Sequence, residues 1–206
     1  MAVGEVAKAL GEAASADGLE LEDQLLPWLN QQGHIGLEAI AQENGDGEIL
    51  ERVAAVAEVC DKVWFRLGGN PEVLPTCRVS LPLVGDFLHR PSGTLIEIDE
   101  GPHFTSSRLT SLEMYPSWAP IAFHMDEYKA ACRDHADEFD RYRRDVATRG
   151  WGIGGLPQER AYHDTLRDLA APAMGLPPVI RIPVFDEDGA GAYERYREWL
   201  RAELGA

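Results

Sequence analysis

With 206 residues, 45% of them hydrophobic and 26% charged, the chain is long enough to bury a sizeable core and is predicted to form one main domain. Its formal net charge of −16 argues against a broadly basic nucleic-acid surface, so any contact with DNA or RNA would be local. No signal peptide is recognisable, no apolar run approaches the roughly 20 residues that cross a membrane, and three widely spaced cysteines favour the cytoplasm over an oxidising compartment.

The first 45 residues are predicted to form a helical cap on the main domain. Val6, Leu10 and Ala14 have the spacing of one helix face. Two further short helices are predicted at about 21–32 and 34–41. No motif in this region points to chemistry.

The main domain is predicted to span 46–206 and to begin with a long helix. Apolar residues recur at alternating spacings of four and three from Ile49 to Leu67, and Gly68-Gly69 ends the pattern. An extended run from Arg78 then leads toward a hairpin.

The segment from Val84 to Phe104 is predicted to form this hairpin, with acids on both arms. Arg90-Pro91-Ser92-Gly93 has the composition of a turn, and Thr94 to Asp99 alternates as a strand does. A β-hairpin brings residues on its two arms close together. The acids on the two arms are therefore candidates for one common site.

Three acids of this hairpin predict a metal site. Glu97 and Asp99 are two residues apart and share one face of the strand, and Asp86 is placed across the turn from them. Converging carboxylates repel one another and are usually tolerated only where a cation neutralises them. Oxygen ligands of this kind suit Mg²⁺ or Mn²⁺.

Beyond the hairpin, a segment at about 105–156 is predicted to be a helical insertion, with a strong helix pattern from Met125 to Arg149. The glycine-rich stretch 149–157 lacks a Lys-Ser or Lys-Thr pair and is interpreted as a flexible loop or lid, not a phosphate-binding loop. The remaining predicted elements are a helix from Gln158 to about Ala171, a buried strand from Pro178 to Val184 and a closing helix from Ala190 to Leu204.

Four sequence pieces, in this order, resemble a known family: GDF at 85–87, LIEIDEGPHF at 95–104, YHDTLRD at 162–168 and GLPPVIRIPV at 175–184. They are similar to the restriction-endonuclease-like PD-(D/E)xK superfamily, and within it to the very-short-patch repair endonucleases and their bacterial relatives. The resemblance covers about 48–186 and implies a three-layer α/β core with a central mixed β-sheet flanked by helices.

The chain departs from this family in three respects. Glu100 stands where the relatives usually have glycine, and Asp99 occupies the place of the superfamily's lysine. About 50 additional residues separate His103 from the YHDTLRD segment. The resemblance therefore implies the fold more firmly than the activity.

The resemblance implies a metal-dependent nuclease that hydrolyses phosphodiester bonds. Asp86 and Glu97 would hold Mg²⁺ or Mn²⁺, and Asp99 would complete the shell directly or through water. His103 would act as general base or orient the attacking water, although packing beside Phe104 is an alternative role.

Three arginines are assigned to substrate binding, and one further acid is assigned to the orientation of its neighbours. The resemblance implies that Arg167 contacts the scissile phosphate, that Arg160 and Arg181 help to bind nucleic acid, with DNA favoured, and that Asp164 orients His103 or Arg167. A plain surface ion pair between Asp164 and Arg167, three residues apart on a helix, is an equal alternative. A homodimer or a protein partner stays open.

Two non-enzymatic functions compete with the nuclease. One is a catalytically inactive protein of the same fold that serves as an interaction or regulatory module, and the other is a DNA mimic. The nuclease hypothesis predicts that arginines gather around the acidic pocket, and the others predict an acidic surround. The arginines concerned are Arg108, Arg143, Arg144, Arg160 and Arg167.

Overall fold

The computed structural model describes residues 4–24, 34–35, 47–74, 78–79 and 85–206. These residues contain six α-helices: α1 (Glu5–Ala16), α2 (Gly47–Arg66), α3 (Ser106–Leu112), α4 (Met125–Phe139), α5 (Leu156–Ala173) and α6 (Gly189–Leu204). In the described ranges, none of the helices combines the length and apolar character that spanning a bilayer requires.

The same residues contain eight short strands: β1 (Glu22–Asp23), β2 (His34–Ile35), β3 (Arg78–Val79), β4 (Phe87–His89), β5 (Thr94–Glu100), β6 (Ala147–Thr148), β7 (Gly152–Ile153) and β8 (Ile180–Val184). A 3₁₀ turn, Gly101–His103, follows β5 directly.

A mixed four-stranded sheet in the order β1-β4-β5-β8 forms the centre of the fold. β4 pairs antiparallel with β1 and with β5, whereas β8 runs parallel to β5. Ile96 of β5 lies between Phe87 and Ile180 in register. The predicted acidic hairpin and the predicted α/β class are confirmed.

Helices α1 and α6 cover one face of this sheet. Ile96 and Ile98 alternate onto that face and share a hydrophobic core with Leu10 of α1 and Tyr193 of α6. The first predicted helix is confirmed, and its apolar face is buried. Of the described elements in the predicted cap, β1 is thus part of the central sheet and α1 of the layer beside it, whereas β2 pairs with β3 in a separate sheet.

Helix α5 lies on the opposite face of the sheet. Its Ala171 packs on Leu95 and Val179, while its other side packs against α2 through Tyr162 and Leu166. Because β5 alternates, Glu97 and Asp99 follow Leu95 onto the face that α5 covers. This packing places acids between the sheet and a helix.

Two predicted N-terminal helices are not found where the structure describes the chain. Glu22–Asp23 pairs as a strand with β4, and His34–Ile35 pairs with β3. The remainder of the segments predicted as helices at 21–32 and 34–41 lies outside the described residues. Hydrogen bonds between strands therefore override the helix pattern at these two places.

The predicted helix from Met125 to Arg149 ends ten residues early, at Phe139. Arg143 has a φ of 48°, which a helix does not contain, and the Val146 carbonyl accepts from the N–H of Gly154 at 2.9 Å. The chain here enters the β6–β7 hairpin, which occupies the glycine-rich stretch predicted as a loop or lid.

The substitution Gly189→Ala tests the packing of α6 on α1. A Cβ at this position would lie 1.9 Å from the Val6 carbonyl oxygen and 2.9 Å from the Leu10 nitrogen, both backbone atoms that no side-chain rotation can move. We expect a loss of about 3 kcal/mol in the free energy of unfolding, measured by urea denaturation. The neighbouring exposed Ala190 provides the control, since Ala190→Ser should change stability by no more than about 0.5 kcal/mol. An equal, small effect of both substitutions would contradict the close α1–α6 contact.

Candidate functional site

A buried ion cluster occupies the interface between the sheet and α5. Its members are three aspartates and two arginines, all at most 2% exposed: Asp99, Asp164, Asp168, Arg108 and Arg181. Charged side chains are rarely buried unless they are paired, and here each has partners.

Arg181, on β8, connects all three aspartates of the cluster. Its Nη1 lies 2.9 and 3.0 Å from the two carboxylate oxygens of Asp99, and its Nε donates to Asp168 at 2.7 Å. Its Nη2 lies 3.3 Å from Asp164 Oδ1. The sequence predicted Arg181 as a substrate ligand, and the structure places its donors on these carboxylates inside the protein.

Arg108, in α3, completes the other end of the cluster. Its Nη2 donates to Asp168 at 2.7 Å, its Nη1 donates to the Tyr115 hydroxyl at 2.8 Å, and its Nε lies 4.0 Å from Asp164. The Tyr115 hydroxyl in turn donates to Asp168 at 2.6 Å. These bonds join α3 to α5 through polar groups instead of apolar packing alone.

His103 lies between two carboxylates of the cluster. Its Nδ1 is 3.1 Å from Asp99 Oδ1 and 3.1 Å from Asp164 Oδ2. Both neighbours are acceptors, so Nδ1 carries a proton that faces the two carboxylates. Asp99, His103 and Asp164 each offer a ligand atom within 4.8 Å of the others, and this group could hold a metal ion.

The acids of this group are held ionised by their neighbours. Burial alone would raise the pKa of Asp164, but the Arg181 guanidinium and His103 outweigh it and hold that pKa well below the usual range. Burial would also raise the pKa of Asp99, but the Arg181 guanidinium outweighs burial, and the pKa of Asp99 is lowered. Tyr128 also donates its hydroxyl proton to Asp99.

Asp86 and Glu97 form a second acidic feature, which we call the carboxylate pair. Asp86 directly precedes β4, and its Oδ2 accepts the N–H of Ile98 at 2.8 Å. Burial raises the pKa of Asp86 to about 6, despite that hydrogen bond. Burial also raises the pKa of Glu97 to about 8, against the attraction of Arg167 and with a contribution from Asp86. Both acids are therefore poorly neutralised by the protein itself.

Arg167 of α5 connects the carboxylate pair to the buried ion cluster. Its Nε lies 3.3 Å from Glu97 Oε1, and its Nη1 lies 3.4 Å from Asp164 Oδ1. The ion pair between Asp164 and Arg167 predicted as an alternative thus exists, but Asp164 is fully buried and the pair belongs to the site. At 13% exposure, the Arg167 side chain reaches solvent.

The structure brings most of the predicted site residues together. Asp86, Glu97, Asp99, His103, Asp164, Arg167 and Arg181 lie in one region, and Asp86, Asp99 and Glu97 influence one another electrostatically. Asp99 differs from the prediction in its contacts, because its oxygens face Arg181, His103 and Tyr128. Among the described residues, the potential metal-ligand group includes Asp99 but neither Asp86 nor Glu97.

The predicted gathering of arginines is found for part of the set. Arg108 and Arg167 contact the acids directly, and the partly buried Arg160 lies in the field of Asp164 and Asp99. Arg143 and Arg144 are exposed, in the turn after α4.

The side chains that sequence reasoning missed are Asp168, Tyr115 and Tyr128. Of these three, only Asp168 could have been found from the sequence, since it follows Asp164 by one helical turn and lies on the same helix face.

Comparisons with protein-family models, curated proteins and solved structures identify no significant match to this chain. The resemblance to the PD-(D/E)xK superfamily therefore stays a prediction that depends on the four sequence pieces.

The carboxylates of the site outnumber its guanidinium groups. Four acids form ion pairs with three guanidinium groups, and Asp86 adds a fifth carboxylate beside them. The raised pKa values of Asp86 and Glu97 show where the carboxylates are least neutralised by the protein's own basic groups.

Proposed function

We propose that the chain is a divalent-cation-dependent phosphodiesterase of the restriction-endonuclease-like fold that acts on nucleic acid, with DNA the favoured substrate. The observation that carries this proposal is the carboxylate pair, in which the buried Glu97 and the partly buried Asp86 lie on the two arms of a hairpin and have raised pKa values. One guanidinium, that of Arg167, lies between this pair and the ion cluster. The hairpin followed by a parallel strand, with helices on both faces of the sheet, supports the fold.

The donor set fits Mg²⁺ or Mn²⁺ better at the carboxylate pair than at the ion cluster. Asp86 and Glu97 offer carboxylate oxygens, which these hard cations prefer. Asp99 and Asp164 already form ion pairs with Arg181, and this guanidinium would repel a cation held between the two aspartates. A Cβ at Gly85 would lie 3.3 Å from Glu97 Oε1, so the absence of a side chain there keeps the approach to this acid open. In this proposal, Asp99 stays near the cation without contacting it directly.

The chain's own residues supply the other functions that hydrolysis requires. Arg167, at the solvent edge beside Glu97, is suited to bind a phosphate oxygen. His103 can take a proton from water at Nε2, because Asp99 and Asp164 fix the proton on Nδ1. A bound cation would lower the pKa of a water molecule and stabilise negative charge on the phosphate.

The substitutions Asp86→Asn and Glu97→Gln test this proposal, since each removes one negative charge without changing the side-chain volume. We expect the wild type to cleave labelled nucleic acid only with Mg²⁺ or Mn²⁺, and each variant to lose about 100-fold or more of that rate. The measurement is cleavage of single- and double-stranded DNA and RNA, with cation binding followed by calorimetry. The exposed Glu113 gives a matched control, because Glu113→Gln should retain both cleavage and binding.

The ion pairs within the buried ion cluster support a second candidate function. Arg181 and Tyr128 donate hydrogen bonds to Asp99, so this acid has partners within the protein itself. A non-catalytic interaction or regulatory module of this fold would require such pairing. That candidate predicts a folded wild type with neither cleavage nor calorimetric cation binding, and this result would refute the nuclease proposal. Cation binding lost in His103→Asn but kept in Glu97→Gln would instead place the metal at Asp99, His103 and Asp164.

A further inference from the structure

An aromatic pocket of about 390 Å³ lies between α4, α6 and the end of β8. Seven rings line it, the imidazole of His124 and the aromatic rings of Phe104, Phe123, Tyr128, Phe185, Tyr196 and Trp199. Neither the carboxylate pair nor His103 contributes to its lining. The pocket is therefore distinct from the proposed catalytic position.

The rings form two groups that belong to different parts of the chain. Phe104 lies 4.5 Å from Phe185 and 4.9 Å from Tyr128 between ring centroids, and Phe123 lies 5.1 Å from Tyr128. Tyr196 and Trp199 of α6 make an edge contact at 6.1 Å. These contacts hold the rings in place, so a ligand would meet a preformed wall of π-systems from both groups.

The charges at the pocket favour a positive ligand. Glu127, an exposed carboxylate of the lining, makes no hydrogen bond or ion pair with any residue that the structure describes. The buried Arg181 also lines the pocket, but Asp99, Asp164 and Asp168 match its charge. The chain as a whole carries a net charge of −16. Apart from the exposed His124, whose ring also lines the pocket, an anion would find no unmatched basic side chain among these lining groups.

We propose that the aromatic pocket binds a compact organic cation of the quaternary ammonium type. The ammonium centre of such a cation has no N–H to donate, and it is recognised by ring faces and by a nearby carboxylate. The pocket offers both, the rings inside and Glu127 at its opening. A neutral apolar molecule would fill the same volume without using the charge of Glu127. The inference is independent of the nuclease function, since it uses neither the carboxylate pair nor a divalent cation.

The experiment compares a cation with a neutral molecule of the same shape. Choline and 3,3-dimethylbutan-1-ol differ by one nitrogen in place of carbon, so their affinities isolate the effect of charge. We expect choline to bind at least about ten-fold more tightly, measured by calorimetry or ligand-observed NMR without nucleic acid or divalent cation. Tetramethylammonium and benzyltrimethylammonium extend the test to smaller and larger cations.

Variants then assign the binding to this pocket. Trp199→Leu should weaken choline about ten-fold, and Glu127→Gln about three-fold at low ionic strength. Trp118→Leu is the matched control, because Trp118 is 56% exposed, lies outside the pocket and should not affect binding. Since Glu127 is exposed, its variant should fold even if Trp199→Leu does not. Three results would each overturn the proposal. The first is equal affinity for choline and the neutral alcohol, and the second is that none of the three cations binds to the folded protein. The third is unchanged choline binding in the Glu127 and Trp199 variants.

Discussion

Replacing Arg181 with methionine is expected to destabilise the protein by about 3–5 kcal/mol, because the substitution leaves buried carboxylates without their main partner. Arg181 is 1% exposed, and its guanidinium makes ion pairs with Asp99, Asp164 and Asp168. Methionine fills a similar volume but brings no charge or donor. Urea unfolding followed by circular dichroism measures the loss, and a purified variant without a cooperative transition would show that the loss exceeds the total stability.

The exposed pair of Arg195 with Asp186 provides the control for this prediction. Arg195→Met removes an ion pair of comparable length, 3.0 Å, from a side chain that is 47% exposed, and should cost no more than about 1 kcal/mol. Arg181→Lys separates charge from geometry, because lysine keeps the charge but lacks the planar set of nitrogens with which Arg181 contacts three aspartates. We expect its stability to lie between those of the wild type and Arg181→Met. Equal effects of Arg181→Met and Arg195→Met would contradict a structural role of the cluster.

The acidic hairpin could be predicted because its signals are local. Alternation with a period of two depends only on neighbouring residues, and the Pro-Ser-Gly turn fixes where the strand reverses. The structure accordingly buries Glu97 and Asp99 on one face and Ile96 and Ile98 on the other. Asp86 reaches the same strand because its carboxylate accepts the N–H of Ile98, as the hairpin geometry suggested.

The partners of Asp99 could not be predicted, because they depend on distant parts of the chain. Arg181 is 82 positions away and Tyr128 is 29 positions away. The parallel register of β5 and β8, with Glu97 opposite Arg181, brings the arginine beside the acids, and no local pattern encodes that register. For the same reason, the sequence grouped Asp99 with Asp86 and Glu97, whereas among the described residues the group that could hold a metal ion joins Asp99 to His103 and Asp164.

The predictions for two regions, Glu22–Asp23 and the chain after Phe139, were wrong for a related reason. The strand Glu22–Asp23 is too short to show any alternation, and the ion pair of Glu22 with Arg90 joins it to the hairpin turn. The helix pattern beyond Phe139 continues in sequence, but the hydrogen bond between Val146 and Gly154 belongs to a hairpin. In both cases, contacts with other segments override the local periodicity.

The wild type is expected to lose stability as the pH rises from about 4.5 to about 8, because folding raises the pKa of both acids of the carboxylate pair. The pKa of Glu97 rises from 4.5 to about 8, and that of Asp86 from 3.8 to about 6. A group with a raised pKa in the folded state binds its proton more tightly there, so its stabilising contribution is complete below the unfolded pKa and is lost as the pH passes the folded pKa. For Glu97 this loss is on the order of 4 kcal/mol.

Glu97→Gln should remove most of this dependence, since glutamine imitates the protonated acid and does not ionise. We therefore expect this variant to be more stable than the wild type at about pH 8 and nearly equal to it at about pH 5, in urea unfolding curves recorded across that range. Glu113→Gln should keep the wild-type slope, because its carboxylate is exposed. A wild-type slope that Glu97→Gln leaves unchanged would show that Glu97 ionises in the folded protein as easily as in water. Saturating Mg²⁺ or Mn²⁺ should stabilise the wild type most near pH 8, because a cation at the carboxylate pair favours the ionised form that the protein alone disfavours.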